Sequence, residues 1–371
     1  MHSVMEIRQL KTNEFEQAIQ LSNITFREQG HSSMGEAFPH VFSAELGQSF
    51  GAFDGEKLVS FIGLVPAKLW VGKAVLTVFS LGSVCTHEDY RNQGISTAIL
   101  NEVYRYIDQT TASLLFVSGD RGMYLRNHCY HFGETKKYII NKSNMNQDLY
   151  SGTIRKGRSA DIFQVDCLRS KAEVRFASSI WEWKMLLEAG GYSSIFKMKQ
   201  GLYVASRHGV IEGYAVIALP TPDSTNEQAI VIESGGDSKA VYGILMSLLE
   251  NTSTSEIELT IPWHEKLNGE ISKYPFEKLQ NDGTIHIVDA ARLINQLMPY
   301  LFERNPKIAQ NIAIGNGEDN RVIIHYNKSE IELTLKEFVE LVFSPKEKYL
   351  FEELETVFPI PLPHLEGMYF V

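Results

Sequence analysis

Val84-Cys85-Thr86-His87-Glu88-Asp89-Tyr90-Arg91-Asn92-Gln93-Gly94-Ile95-Ser96-Thr97-Ala98-Ile99-Leu100 decides how this chain is read. An apolar strand ends at Thr86, a polar turn follows, and Arg91-x-x-Gly94-x-Ser96 runs into an apolar-periodic helix that continues to about Ile107. The first turn of a helix carries backbone N–H groups without intrahelical partners and the positive end of the helix dipole, so phosphate oxygens are favoured there. Gly94 lets a ligand approach the backbone without a Cβ in the way, small Ser96 keeps the next position open, and Arg91 adds a charged fork. This order of strand, turn and helix builds an anion site.

The pattern around the loop extends in both directions. Met5, Ile7 and Leu10 alternate with polar residues as a short strand, and Glu14 to Phe26 has helical spacing. Two apolar runs, 50–53 and 57–65, flank the turn Asp54-Gly55-Glu56 as a hairpin, and Ala74 to Thr86 supplies the next strand. Beyond the helix come a short buried strand, Ala112 to Ser118, a brief helix at 122–130, and a closing strand from Thr135 to Ile140. Strand-helix-strand-strand-strand-helix-strand-helix-strand thus fills residues 1–145.

This block resembles the pyrophosphate-binding segment of the GNAT superfamily, acetyltransferases with Arg/Gln-x-x-Gly-x-Gly/Ala after a strand. Ser96 stands where Gly or Ala is usual. The resemblance implies that backbone groups of Val84, Cys85 and Thr86 meet the pantetheine arm of acetyl-CoA, and that Arg91, Asn92, Gln93, Gly94, Ser96 and Thr97 surround its pyrophosphate.

A looser echo occupies 146–284. A hairpin, Leu202 to Ala205 and Val210 to Ile217, is followed by the strand Ile230 to Glu233, Ser234-Gly235-Gly236-Asp237, an apolar helix from Ala240 to Leu249 and the strand Glu256 to Ile261. The spacer has no Arg-x-x-Gly, so this reads as a degenerate GNAT-like domain that binds no CoA; an unrelated α/β segment is the other reading. From 285 to 371 the texture changes to a strand, a helix, two strands and a helix. This part resembles the sterol-carrier-protein-like domain of the enhanced-intracellular-survival family, whose members also begin with a GNAT domain and a degenerate second one. The expected architecture is therefore α/β (α+β): tandem GNAT-like mixed-sheet domains at 1–145 and 146–284, then a small α+β domain with a C-terminal arm at 285–371.

Composition points the same way. At 371 residues with 44% apolar content the chain is long enough for two or three cores. It has no apolar run of membrane-spanning length and no leader-like N-terminus, so the expected location is the cytoplasm and no membrane partner is expected. Cys85, Cys129 and Cys167 form no metal-ligand spacing, so no metal is expected. A net charge of −10 disfavours nucleic acid and favours a cationic acceptor. Self-association is a further expectation, since the resembling family forms higher oligomers.

Transfer to an amine requires a polarised carbonyl, a deprotonated ammonium and a protonated leaving thiolate. Tyr124, on the short helix after the buried strand, is the expected acid, because a phenol with a pKa near ~10 stays protonated at neutral pH; packing as a half-buried aromatic is the alternative. Glu36 is a candidate base, in the long loop that borders the acceptor site in this superfamily, with His87 and Glu88 as further carboxylate or imidazole options. The segment Phe358 to Val371 is stiffened by three prolines and rich in apolar side chains, so it should dock. In the resembling family the terminus reaches the first domain and its α-carboxylate serves the active site, which makes Val371 a candidate; covering a groove is the equal alternative. Cys85, in a strand, and Cys129, in an apolar helix, read as buried thiols rather than nucleophiles. The expected activity is an acetyl-CoA-dependent N-acetyltransferase acting on a small or peptidic, cationic primary amine by direct attack. A non-catalytic acyl-CoA sensor and a lipid-binding module built on the last domain are the rivals.

Overall fold

The computed structural model describes residues 5–144, 150–252, 254–319, 321–346 and 352–371. It opens with β1 (Glu6–Gln9), α1 (Phe15–Phe26) and α2 (Met34–Ala37). Next come β2 (Phe50–Asp54), β3 (Lys57–Val71) and β4 (Ala74–Thr86), a meander whose turns fall at Gly55 and Gly72, both with positive φ. The loop then leads to α3 (Ile95–Asp108), β5 (Leu114–Val117), α4 (Gly122–Arg126) and β6 (Cys129–Tyr130). Ile95, Ile99, Leu100, Val103 and Ile107 form the buried stripe of α3 and pack on β4 and β5 through Leu81, Leu115 and Val117.

The middle of the chain supplies β7 (Thr135–Asn141), β8 (Thr153–Lys156), α5 (Ile162–Arg169), β9 (Val174–Phe176), α6 (Ile180–Ala189), α7 (Gly191–Ile195), β10 (Lys199–Arg207), β11 (Val210–Leu219), β12 (Ala229–Gly236), α8 (Ser238–Asn251), β13 (Glu256–Pro262), α9 (Leu267–Glu270) and β14 (Phe276–Leu279). The last part holds β15 (Thr284–Ile287), α10 (Ala290–Arg304), α11 (Pro306–Asn311), β16 (Ile312–Asn316), β17 (Arg321–Tyr326), β18 (Ser329–Thr334) and α12 (Leu335–Phe343). Among the described residues three mixed or antiparallel sheets result, ordered β1-β2-β3-β4-β5-β15-β6 with β9 pairing β3, β14-β7-β13-β12-β11-β10-β8, and β16-β17-β18.

Two strands sit elsewhere than the sequence reading placed them. β7, expected to close the first sheet, pairs along its whole length with β13 in the second. Its inward residues Tyr138 and Ile140 are fully buried with α8, and Lys137 pairs with Glu258 at 2.8 Å. β15, expected to open the third part, instead pairs with β5 and β6 in the first sheet. Cys129 correspondingly lies in β6, not in a helix, and the helix expected at 122–130 ends at Arg126.

The third sheet and its helices pack on the first sheet's face opposite α3, so Val78, Phe116, Leu297, Phe338 and Val342 share one core. The arm after α12 docks, as expected. Ile360, Leu362 and Leu365 enter that shared core, Met368 enters the core of the second sheet's α6 side, and Val371 enters the one formed by α1, α2 and β3.

Candidate active site

β4 and β5 run parallel and pair only from Val78–Leu114 to Leu81–Val117. Past that point they part, with Ser118 N–H donating to Leu81 C=O at 2.9 Å as the last tie. On its other edge β4 carries a bulge: Phe61 faces Cys85 and Gly63 faces Gly82, so three steps on β4 oppose two on β3. Ser83 takes the strain with φ 52°, and such a bulge leaves a backbone group outside the ladder. Val84, Cys85 and Thr86 thus line a strand segment whose β5 side is open.

The loop after it is exposed from Arg91 to Gly94. Asn92 and Gly94 have φ of 61° and 77°, a left-handed geometry that suits Gly94, and Gly94 caps α3 with no side chain and no acidic residue in the first turn. The N–H groups at the start of this 14-residue helix therefore remain available. Arg91 Nε donates to Thr86 C=O at 3.1 Å, which holds the guanidinium across the turn, and Gln93 Nε2 donates to Asp89 C=O at 3.2 Å. Ser96 departs from the small-residue pattern for a visible reason: its Oγ lies 2.8 Å from Thr86 Oγ1, which in turn lies 2.7 Å from Ser60 Oγ. The hydroxyl relay ties the helix start to two strands. Thr97 follows, half-buried, in the same first turn.

Cys85 contributes backbone only. Its side chain is 3% exposed and turned to Ser22 Oγ at 3.5 Å, and burial pushes the thiol up to about 11. Cys129 is likewise buried and raised to about 11. Neither thiol is ionised near neutral pH.

Tyr124 on α4 is wedged among Ile95 and Ile99 of α3 and Val117 of β5, with its ring over Gly119. Burial pushes the phenol up to about 12, and its hydroxyl makes no hydrogen bond among the described residues. Val371 is 4% exposed and rests on Gly82 at the bulge. A Cβ added at Gly82 would sit 2.1 Å from the Val371 carbonyl oxygen. The loop, Tyr124 and Val371 therefore converge on the segment where β4 and β5 part.

Glu36 does not join them. It is exposed, and its carboxylate accepts the Ser33 N–H at 3.2 Å while Ser33 Oγ caps α2, a reciprocal capping box. The signal was present in the sequence as Ser33-Met34-Gly35-Glu36. His87 pairs instead with the surface groups Asp89 and Lys57, and Glu88 is exposed. His40, which sequence reasoning passed over, is 9% exposed and lines a cavity of about 430 Å³ together with Ser80, Tyr369 and Val371.

The second sheet repeats the scaffold with a different outcome. β12 and β13 run parallel over Ala229–Ile257 and Ile230–Glu258, then part, and α8 follows β12 as α3 follows β4. Here, however, Asp237 Oδ1 accepts the Lys239 and Ala240 N–H groups at 3.0 Å, so a carboxylate already occupies the helix start. The arm runs past the same place, Gly367 lying against Ile232 C=O. Tyr369 anchors it by hydrogen bonds to Arg169 at 2.9 Å and to Ser178. Among the described residues one group of metal-capable side chains lies within 4.8 Å, His364 and Glu366 of the arm with Asp282 from the turn between β14 and β15. No helix among the described residues is long and apolar enough to cross a membrane.

A family model described as an acetyltransferase (GNAT) domain matches residues 6–131. No curated protein sequence matches the chain. Among solved structures, a probable N-acyltransferase from Enterococcus faecalis aligns with a TM-score of 0.63 at 14% identity, over 89% of this chain and 85% of that one. Eis1 from Mycobacterium abscessus aligns at 0.60 and 14%, over 91% and 88%, and a GCN5-related N-acetyltransferase from Kribbella flavida at 0.59 and 10%, over 93% and 86%. The open cleft between β4 and β5 and the uncapped helix behind it thus belong to a GNAT acetyltransferase domain, an acyl-CoA-dependent transferase, carried in a chain with the fold of Eis1.

Proposed function

We propose that the chain moves the acetyl group of acetyl-CoA to a primary amine by direct attack. The observation that carries this reading is the contrast between two equivalent helix starts: α3 is uncapped and flanked by Arg91, whereas α8 is filled by its own Asp237. One co-substrate site follows, with the pyrophosphate on the N–H groups of Ile95, Ser96 and Thr97, the Arg91 guanidinium beside it, and Asn92, Gln93 and Gly94 shaping the turn. Backbone of Val84, Cys85 and Thr86 takes the pantetheine arm, and the bulge at Ser83 leaves an N–H to polarise the thioester carbonyl.

The amine nitrogen bonds to the carbonyl carbon as the C–S bond breaks. Before attack the carboxylate of Val371 receives the ammonium proton; Tyr124 Oη then gives its proton to the departing thiolate, and the second proton shed by the nitrogen restores the phenol. Burial serves Tyr124 here, because a phenol held near 12 remains protonated at every pH at which the amine reacts. Glu36, committed to its capping box, has no part in this scheme.

The decisive experiment is thiol release from acetyl-CoA with a panel of primary amines, alongside calorimetry of CoA binding. Amine-dependent release supports the reading. Binding of CoA without release by any amine would instead identify a sensor, and no binding at all would remove the co-substrate site.

A further inference from the structure

Folded proteins rarely leave buried polar groups without partners, and each exception calls for a ligand or water. Among the described residues, only His40 has both ring nitrogens buried with no hydrogen bond. The Phe370 backbone lies near the ring without adequate hydrogen-bond geometry, and burial lowers the imidazole to about 4, so it is neutral, with one donor and one acceptor. Ser80, 7% exposed, lines the same cavity, and its Oγ makes no hydrogen bond among the described residues. The buried, unpaired imidazole of His40 and the Ser80 hydroxyl thus face one space of about 430 Å³, a size typical of small-molecule sites.

Their positions give that space a polar end. Ser80 is two residues before Gly82, on which Val371 rests. His40 precedes Val41, whose Cγ1 lies against Gly63, the residue opposite Gly82 in the β3–β4 ladder. Both groups therefore gather beside the bulge. Away from it the wall passes Val65, Pro66 and Phe176, whose ring packs 4.6 Å from that of Tyr369, and ends at Thr110 to Ala112. Its two charged side chains, Lys68 and Glu182, have opposite sign.

We propose that His40 and Ser80 are the acceptor-reading end of this cavity, and that it takes a primary amine with a single ammonium on an apolar stem; the assignment of the ligand as the acceptor rests on the acyl-transfer reading above. An ammonium offers three N–H donors, and the imidazole lone pair, Ser80 Oγ and the Val371 carboxylate supply three acceptors at one end of the cavity. The stem then lies along Val65, Pro66 and Phe176. A polyamine would set its second ammonium along these apolar side chains or against Lys68, while the Glu182 carboxylate is engaged by the Ser179 N–H in the capping box of α6, so the second charge is desolvated without a free partner.

Calorimetric titration of the full chain with 2-phenylethylamine and with spermidine, in the presence and absence of CoA, reads the cavity independently of turnover. The expected result is tighter binding of 2-phenylethylamine, weakened at least about tenfold by His40→Leu and less by Ser80→Ala, since each removes one hydrogen bond to a charged group. Acetyl-CoA binding should be unchanged in both variants. The Tm of His40→Leu should be equal to or above wild type, because the substitution removes a buried orphan, whereas a structural histidine would lose stability. The proposal is overturned if His40→Leu binds 2-phenylethylamine as wild type does, if spermidine binds more tightly, or if neither amine binds and the cavity holds water only. Failure of the acyl-transfer reading looks different: amine binding that depends on His40, but no thiol release with any amine.

Discussion

Gly82→Ala tests whether the end of the arm is seated where the cleft opens. The new Cβ would lie 2.1 Å from the carbonyl oxygen of Val371, 2.3 Å from its carbon and 2.9 Å from its Cγ2. Unstrained contacts of this kind begin near 3.5 Å, and two of the three atoms are backbone, so a rotamer change cannot relieve the clash. Gly82 itself has no positive φ, and alanine therefore adds no backbone strain of its own. The cheapest response is retreat of Val371 from its site. Exposing a fully buried valine costs about 1.5–3 kcal/mol, or roughly 3–12 °C in Tm at about 2–4 °C per kcal/mol for a domain of 150–250 residues. Loss of a positioned proton acceptor lowers the rate by about 10²–10⁴. The expected variant thus binds acetyl-CoA normally, melts several degrees earlier and releases thiol at least about a hundredfold more slowly with a saturating amine. Wild-type turnover and Tm together would refute the seating of Val371 on Gly82 and, with it, the proposed proton acceptor.

Tyr124→Phe keeps the packing of the ring and removes only the hydroxyl; kcat should fall about 10²-fold or more with KM for acetyl-CoA unchanged, and an unchanged kcat would return Tyr124 to a packing role. Arg91→Ala removes an exposed guanidinium tied, among the described residues, to Thr86 C=O alone, so calorimetry should show about tenfold weaker CoA binding with an unaltered Tm; equal affinity would take Arg91 out of the site. The arm also predicts a pH signature. Burial holds Glu366 near 7 against a reference of 4.5, so the folded state binds more protons and this group adds stability as pH falls from 7 to 4.5. Burial holds His364 near 4 against 6.5, so this group removes stability as pH falls from 6.5 to 4, and His40 and His286 act in the same direction. Glu366→Gln eliminates the compensating group, and its Tm should drop more steeply than wild type between pH 6.5 and 5; parallel curves in a Tm-versus-pH series would contradict the assignment.

The strand, turn and helix around Arg91 to Ser96 were legible because their signals are local. A strand end, a left-handed glycine and an apolar-periodic helix occupy consecutive residues, and Asp54-Gly55-Glu56 marks its hairpin within the same short range. What was missed depends on distant pairing. Alternation identifies β7 and β15 as strands, but Tyr138 and Ile140 alternate as well for one sheet as for another, and the partner is chosen by the cores they fill. His40 lies in Pro39-His40-Val41, where no periodicity or motif distinguishes it. Only the closure of the arm over the sheet reveals an imidazole with nothing to bond. Glu36 is the opposite case, a legible capping box read as chemistry because its loop was expected to border the acceptor. Ser96 illustrates a third kind: the identity is visible in sequence, while its reason, the relay through Thr86 to Ser60, is spatial.

The placement of β7 and β15 has a consequence for how the chain can be dissected. Each of the first two sheets borrows a strand from beyond its own stretch of chain, β7 passing forward and β15 passing back. A fragment cut near residue 145 would carry a strand that belongs to its neighbour and lack the one that lies between β5 and β6. The two halves are laced together, so neither can be lost, swapped or expressed as a free-standing module without unpicking the other.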